Sequence, residues 1–345
     1  MTARPFLRTI PVWILSGLLF IGQTCAAPTG AEKTGDRQTC PSLVAEETPD
    51  TLTYLSPDNQ RRVLHKRPAR TVVLLTSLLD LWYEAGGKAV GRCAGELNVP
   101  DAAKDLPVLG TFANPNIEKL ISLAPDLVIS SDVGAFRAMI PILEASGIEY
   151  ALVRYVNYGD YLSLIELFGK LNGSETHCRQ VIERTAAQVD SVVARCPRAS
   201  GPKVVIVFTS PNLVSCETAD SQTGFMVQLL GGKNIISGGP SETGTRINFS
   251  LERLVLLDPD LVLINTMGDP KDCKARLHQE LAGNSAWSAL RAVREGRVHY
   301  LPKSLFLFKP NAAYPEAVRY LAALFYPDLF ESAPSAGVVS HATPH

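Results

Sequence analysis

Charge of one sign is what this sequence lacks. Its 33 lysines and arginines stand against 34 aspartates and glutamates, for a net charge of −1, with no long basic run. The electrostatic footprint of a nucleic-acid binder is therefore missing. Histidine is scarce: the six fall at 65, 177, 278, 299, 341 and 345, without His-x-x-His or Glu-x-x-His spacing. A site for bare zinc or manganese needs a convergent set of histidines and carboxylates, so any metal is expected to arrive already chelated. No G-x-S-x-G, G-x-x-x-x-G-K-S/T or G-x-G-x-x-G occurs, which removes the common signatures of a serine hydrolase, a phosphate loop and a dinucleotide site. The run Gly231-Gly232-Lys233 lacks the upstream glycine of a phosphate loop and reads as a helix stop. No cysteines stand at C-x-x-C spacing, which argues against a thioredoxin-like redox motif or a zinc ribbon.

What is present begins with an export signal. Arg4 and Arg8 precede an apolar stretch, 10–22, that contains Pro11 and is too short to span a bilayer comfortably. Small residues follow, and cleavage is expected after Ala26, making 1–26 a signal peptide; lipidation at Cys25 is the alternative, against which Thr24 is a poor preceding residue. Residues 27–50, rich in Ala, Thr, Glu, Pro and Gly, read as a flexible leader. Without Cys25 there remain Cys40, Cys93, Cys178, Cys196, Cys216 and Cys273, an even number bound for an oxidising compartment. Spacing does not fix their connectivity; a bridge between Cys216 and Cys273 is the preferred pairing. At 345 residues the chain exceeds the size at which one core keeps growing, so two domains are expected.

A repeat supports that count. Residues 117–131 return as 251–265 with seven of fifteen aligned positions identical. In each copy an N-cap residue type, Asn116 or Ser250, precedes a short amphipathic helix. Pro125 or Pro259 ends that helix, and a continuous apolar run follows, the pattern of a buried parallel strand. Two such units imply two similar α/β lobes with a cleft between them. Along the rest of the chain, 52–64 reads as a hairpin turning at Pro57-Asp58-Asn59, and 71–75 as the first buried strand. A helix at 78–85 and strands at 89–92 and 148–153 complete a first lobe, 51–159. Two helices follow in 160–198, the second capped by Ser174 and running to about Cys196. It would be about 33 Å long, a stiff connector. The second lobe, 199–328, opens with a strand at 203–208. It continues through a helix at 223–230, the second repeat copy, an amphipathic stretch at 277–293, a strand at 298–301 and a helix at 315–325. Residues 329–345 read as a disordered tail.

The order of these motifs over about residues 52–328 resembles the bacterial periplasmic binding proteins that deliver iron–siderophores, haem and vitamin B12 to ABC importers. The resemblance is carried by Pro68-Ala69-Arg70-Thr71-Val72-Val73, by Leu106-Pro107-Val108-Leu109-Gly110 before Asn114-Pro115-Asn116-Ile117-Glu118, by the paired Pro-Asp-Leu-Val segments, and by Leu229-Leu230-Gly231-Gly232-Lys233-Asn234-Ile235. It implies an α/β fold of two Rossmann-like lobes with mostly parallel sheets, joined by a long rigid helix. Ligand would lie between the lobes, outside the carboxyl ends of the strands. It also implies a dimeric ABC permease with its ATPase as partner, reached through one acidic residue per lobe, by position Glu118 and Glu252. A first-turn glutamate alone is explained by the helix dipole; the same residue at the same point of both repeats favours matched contacts with a symmetric permease.

Cleft candidates follow from the same placement. Phe112 and Arg246 each lie six residues before those glutamates, and an aromatic on one wall with a guanidinium on the other would suit a planar or anionic chelate. Phe208 ends a strand. Trp82 and Tyr83 follow the first strand, Arg154, Tyr155, Tyr158 and Tyr161 surround the lobe exit, and Phe306, Phe308 and Lys309 lie on the last loop. Packing is the alternative for Phe112 and Phe208 and solvation for Arg246. Tyrosine phenolates could ligate ferric iron directly, against which stands that Tyr is common at lobe edges and that these residues need not face one way. The resulting expectation is a non-enzymatic solute-binding protein without a cofactor, its ligand an iron–siderophore. Haem or cobalamin is the alternative ligand, and an exported α/β enzyme or chelatase the alternative class. The membrane is expected to be met only through the permease.

Overall fold

A computed structural model describes residues 42–330, except 96, 198–199, 237–243, 249 and 282–284. The signal peptide, Cys25 and Cys40 lie outside the described residues. Strand β1 (Val44–Glu47), within the stretch read as a leader, pairs antiparallel with β2 (Thr51–Leu55). β2 in turn pairs with β3 (Arg61–His65) across the expected turn, where Asn59 takes a positive φ of 60°. Tyr54 docks this meander on the first lobe: its hydroxyl donates to the Leu152 carbonyl and accepts from the Leu152 amide, both at 2.9 Å.

The first lobe contains β4 (Thr71–Val73), α1 (Thr76–Glu84), β5 (Ala89–Arg92), a small hairpin of β6 (Gly110–Thr111) and β7 (Asn114–Pro115), then α2 (Ile117–Ser122) and β8 (Leu127–Ser131). Short helices α3 (Gly134–Arg137) and α4 (Ile140–Ala145) lead to β9 (Glu149–Val153). The main sheet runs β5-β4-β8-β9, all parallel. Alternate side chains enter different cores: Val73 and Ile129 face the helices that continue the chain, whereas Val72 and Val128 face α2 and α4. Burial on both faces is why these strands read as unbroken apolar runs.

Next come α5 (Tyr158–Asn172) and α6 (Glu175–Val193). Asn157 and Asp160 form a capping box on α5, and Gly173, at a φ of 71°, ends it. Ser174 does not cap α6 as expected; its hydroxyl donates to the Ala85 carbonyl at 2.6 Å. At 19 residues α6 is shorter than expected, about 28 Å long, because the chain turns at 194–196. It packs on α5 on one side and on the last helix on the other.

The second lobe has β10 (Lys203–Ser210), β11 (Leu213–Glu217), α7 (Gln222–Leu229), β12 (Lys233–Asn234), β13 (Arg246–Asn248), α8 (Leu251–Leu257) and β14 (Leu261–Thr266). There follow α9 (Pro270–Leu281), α10 (Ser285–Ala289), α11 (Arg291–Arg294), β15 (Val298–Tyr300), α12 (Lys303–Phe306) and α13 (Tyr314–Phe325). Its sheet runs β13-β11-β10-β14-β15, with β12 also on β10. The β10–β11 hairpin and β13 are antiparallel additions that the sequence reading lacks. One core, from Val73 and Ile129 through Leu167 and Val189 to Ile206, Leu263 and Leu321, runs through both lobes. Phe330, assigned to the tail by sequence, is buried with Arg195 stacked on its ring at 4.2 Å.

The repeated Pro-Asp acquires a physical reason. Asp126 accepts from the amides of Ala69 (2.6 Å) and Arg70 (3.0 Å), and Asp260 from the amide of Lys203 (2.7 Å). Each aspartate thus pins the start of the neighbouring parallel strand, β4 or β10, satisfying amides that precede the ladder. The expected Cys216–Cys273 bridge is corrected: neither residue is in a disulfide, and nor are Cys93, Cys178 and Cys196. Cys216, in β11, packs into the second lobe's core, where burial pushes its pKa up to about 12. Cys273 instead donates to the Met267 carbonyl at 3.2 Å.

Candidate functional site

The parallel strands end on one side of each sheet, and the loops there carry the candidate residues. On the second lobe, Phe208 near the end of β10 is 1% exposed, and the Arg246 guanidinium lies 3.5 Å from its ring centroid. β13 places Arg246 directly opposite Glu217 of β11, and the two side chains approach to 3.9 Å. Glu217 is buried at 5% exposure. Its Oε1 accepts from Asn265 Nδ2 at 3.2 Å, and the same amide donates to Thr223 Oγ1 at 3.0 Å. Burial pushes the Glu217 carboxyl above its ordinary range, opposed by Arg246 and by the Asn265 hydrogen bond. Burial likewise lowers Arg246.

Lys309 completes the group from the loop after α12. Its ammonium donates to the Val156 carbonyl at 2.8 Å and sits 5.2 Å from the Tyr155 ring centroid. Burial pulls its pKa down to about 8, against the attraction of Asp160 and Glu217; repulsion from Arg154 and Arg246 adds to the fall. Arg154 of the first lobe and Arg246 of the second are therefore each within electrostatic reach of Lys309, with Glu217 and Asp160 as the nearby carboxyl groups.

Beside this charge group the lobes are tied together. Asn311, fully buried with a φ of 49°, donates to the Ser77 carbonyl (2.9 Å) and Asp80 Oδ2 (2.6 Å) and accepts from the Tyr155 hydroxyl (2.7 Å). Asn98 Nδ2 donates to the Lys309 carbonyl at 2.5 Å. Residues 309–311 thus insert into the first lobe and act as a second joint besides α6.

The remaining candidates divide. Phe112 is half-buried at the tip of the β6–β7 hairpin, Arg154 is exposed just past β9, and Phe308 is half-buried. Trp82 is corrected to a core residue: it has no exposure, its Nε1 donates to the Lys88 carbonyl at 2.9 Å, and its ring meets Phe168 edge-on at 5.3 Å. Tyr155 belongs to the seam through Asn311. Tyr158 and Tyr161 pack with Tyr314 at ring distances of 5.1 and 5.3 Å, and Phe306 packs on Tyr320. The Tyr83 hydroxyl accepts from the Ala89 amide at 3.3 Å. Glu118 and Glu252 are exposed in the first turns of α2 and α8. Their helices are capped by Asn116, accepting from the Lys119 amide at 2.8 Å, and Ser250, accepting from the Arg253 amide at 3.2 Å. Sequence reasoning missed Glu217, Asn265 and Asn311. Asn265 did leave a signal, a polar residue at the end of an apolar strand. Glu217 left none, because Ser215, Cys216 and Glu217 do not read as a buried strand.

Among the described residues no cluster of three or more His, Cys, Asp or Glu could hold a metal ion, and no helix is long and apolar enough to cross a membrane. The sequence pattern that defines a family described as periplasmic binding protein matches residues 72–305. The chain is 26% identical over 267 residues to the high-affinity heme uptake system protein IsdE of Staphylococcus aureus, covering 75% of this chain and 86% of the relative. The crystal structure of that protein complexed with heme aligns with a TM-score of 0.64 at 22% identity, covering 74% of this chain and 98% of the other. An ABC transporter substrate-binding protein from Listeria monocytogenes aligns with a TM-score of 0.65 at 21% identity, covering 76% and 100%.

Proposed function

Because the chain belongs to the periplasmic binding protein family, the substrate-binding components of ABC importers, we propose that its cleft captures an anionic iron chelate. The observation that carries this reading is Arg246 stacked on the Phe208 ring, with Lys309 within electrostatic reach of both Arg246 and Arg154. A guanidinium stacked on an aromatic keeps its edge free for a carboxylate or a similar oxygen anion, and half-buried Phe112 and Phe308 offer apolar surface to the body of the ligand. Haem, a planar iron chelate with two propionates, fits these features and is what the similar protein of S. aureus takes up by name; a ferric siderophore is the second candidate. The chain is exported, its signal cleaved near Ala26, and hands the ligand unchanged to a permease dimer with its ATPase. Glu118 and Glu252 dock it there. Permease subunits related by symmetry require matched contacts from the two lobes, which these two residues supply.

The test is titration of the mature protein with haem, a panel of ferric siderophores and cobalamin, followed by absorbance and intact mass. Stoichiometric saturation with an unaltered ligand is expected; turnover would point to an enzyme, and binding of bare metal ions alone would refute the chelate reading. Replacing Arg246 by Ala is expected to weaken the bound chelate about 10- to 100-fold, the value of one charge-assisted hydrogen-bonded pair. An unchanged affinity would remove Arg246 from the site. Lobe motion should be small, because α6 contains neither Gly nor Pro, the usual sites of helix kinking, and residues 309–311 form a second joint. Small-angle scattering with and without ligand should nearly superimpose; a marked contraction would mean that both joints yield.

A further inference from the structure

Glu217 places a carboxyl where the proposed ligand also brings an anion. Arg246 does not need it for positioning. The guanidinium rests on the Phe208 ring at 3.5 Å and stands 3.9 Å from Glu217, beyond hydrogen-bonding distance. Nor does local packing require the charge. The Asn265 amide that reaches Glu217 Oε1 at 3.2 Å would bond equally well to a glutamine, without the desolvation cost of a buried carboxylate. What the carboxylate does, and an amide cannot, is oppose negative charge brought to Arg246. The charged groups that face it are Arg246 from β13 and Lys309 from the loop after α12; the Cys216 thiol beside it in β11 points to the other face of the sheet, and Asp160 acts on Lys309.

From this geometry we infer that Glu217 is a specificity-determining residue that limits how tightly the cleft holds anionic ligands, keeping them releasable. The inference rests on the reading of the cleft as an anionic-chelate site. Arg246 and Lys309 attract the ligand's carboxylates; Glu217 repels them, and does so least when protonated. Its carboxyl titrates above the ordinary range, so the opposition weakens as pH falls. An arriving anion also favours the protonated form of Glu217, and binding therefore takes up protons.

The experiment compares wild type with Glu217→Gln, using haem and haem dimethyl ester as probes. Removing a charge that close to a bound carboxylate should tighten haem binding about tenfold and leave the ester within about twofold. Wild-type affinity for haem should rise as pH falls, and the variant's should vary much less. Calorimetry of wild type over a series of pH values, each in two buffers of different ionisation enthalpy, should show proton uptake where the affinity changes, and Glu217→Gln should abolish it. Uptake that persists in Glu217→Gln would belong to Lys309, whose pKa is about 8. The wild-type measurement stands even if the variant folds poorly. Weaker or unchanged haem binding in a folded variant, or no proton uptake by wild type, overturns the inference alone. Failure of wild type to bind either porphyrin overturns the reading of the cleft and the inference with it.

Discussion

Replacing Glu118 and Glu252 together by Ala should abolish uptake of the ligand by a cell carrying the cognate permease, while the purified double variant binds ligand as tightly as wild type. Both carboxylates are exposed in first helical turns, and neither belongs to the group of Arg154, Arg246, Lys309 and Glu217. Their local energetic role is small. A carboxylate at a helix N-terminus contributes about 0.3–1 kcal/mol, and the caps themselves come from Asn116 and Ser250. The double variant should therefore remain folded, with at most about 2 kcal/mol of lost stability. Single replacements should be milder, since each leaves one lobe's contact in place. Reversal to Lys should be worse than Ala, because like charges facing each other at an interface cost several kcal/mol. Uptake by transport assay and affinity by titration separate the outcomes. Lost affinity would move the carboxylates into the binding site, and normal uptake would leave only their helix-dipole role.

The equivalence of those two residues was legible because the fold writes itself twice. A short amphipathic helix, a proline stop and a buried strand are each local, and local patterns survive in a single sequence. The same reading gave the parallel strands, the hairpin at Asn59 and the two connector helices. It could not give the reason for Asp126 and Asp260, since their partners, the amides that begin β4 and β10, lie 56 or 57 residues away. β11 was lost for a different reason: Ser215 and Glu217 are buried between β10 and the antiparallel addition of β13, Glu217 against the amide of Asn265 and Ser215 with its hydroxyl unpartnered, and neither placement has a sequence signature. Trp82 shows the converse limit. It follows a strand as a cleft residue would, yet its indole finds an acceptor in Lys88 only six residues on, which allows it to pack fully in the core. The cysteine pairing failed because an even count says nothing about which side chains meet. Arg246 and Phe208 were legible one by one, but their stacking depends on three adjacent strands.

The seam between α1 and α5 should make stability depend on pH through Glu84. This residue ends α1 one turn after Asp80. The Tyr161 hydroxyl donates to Glu84 Oε1 at 3.1 Å, while Oε2 is buried without a hydrogen-bond partner. Burial pushes its pKa to about 7, with Asp80 adding to the rise and with the Tyr161 hydrogen bond and the charge of Arg184 opposing it. Asp80 is raised as well, its burial only partly offset by the hydrogen bond from Asn311. The folded pKa of Glu84 thus lies above its unfolded value near 4.5. Below that value both states are protonated and the group costs nothing. Between about 4.5 and 7 the unfolded chain ionises first, so stability falls as pH rises, and above about 7 the cost is fully present. A shift of this size is worth about 3 kcal/mol. Glu84→Gln removes the titration but places an amide donor where Oε2 now lacks a partner, which should cost about 1 kcal/mol at every pH. The variant is therefore expected to be slightly less stable than wild type at pH 5 and more stable at pH 8, gaining on it by about 2–3 kcal/mol across that interval. Urea unfolding of both proteins at the two pH values measures the difference. Parallel pH profiles for wild type and variant would mean that Glu84 ionises in the folded seam as easily as in the unfolded chain.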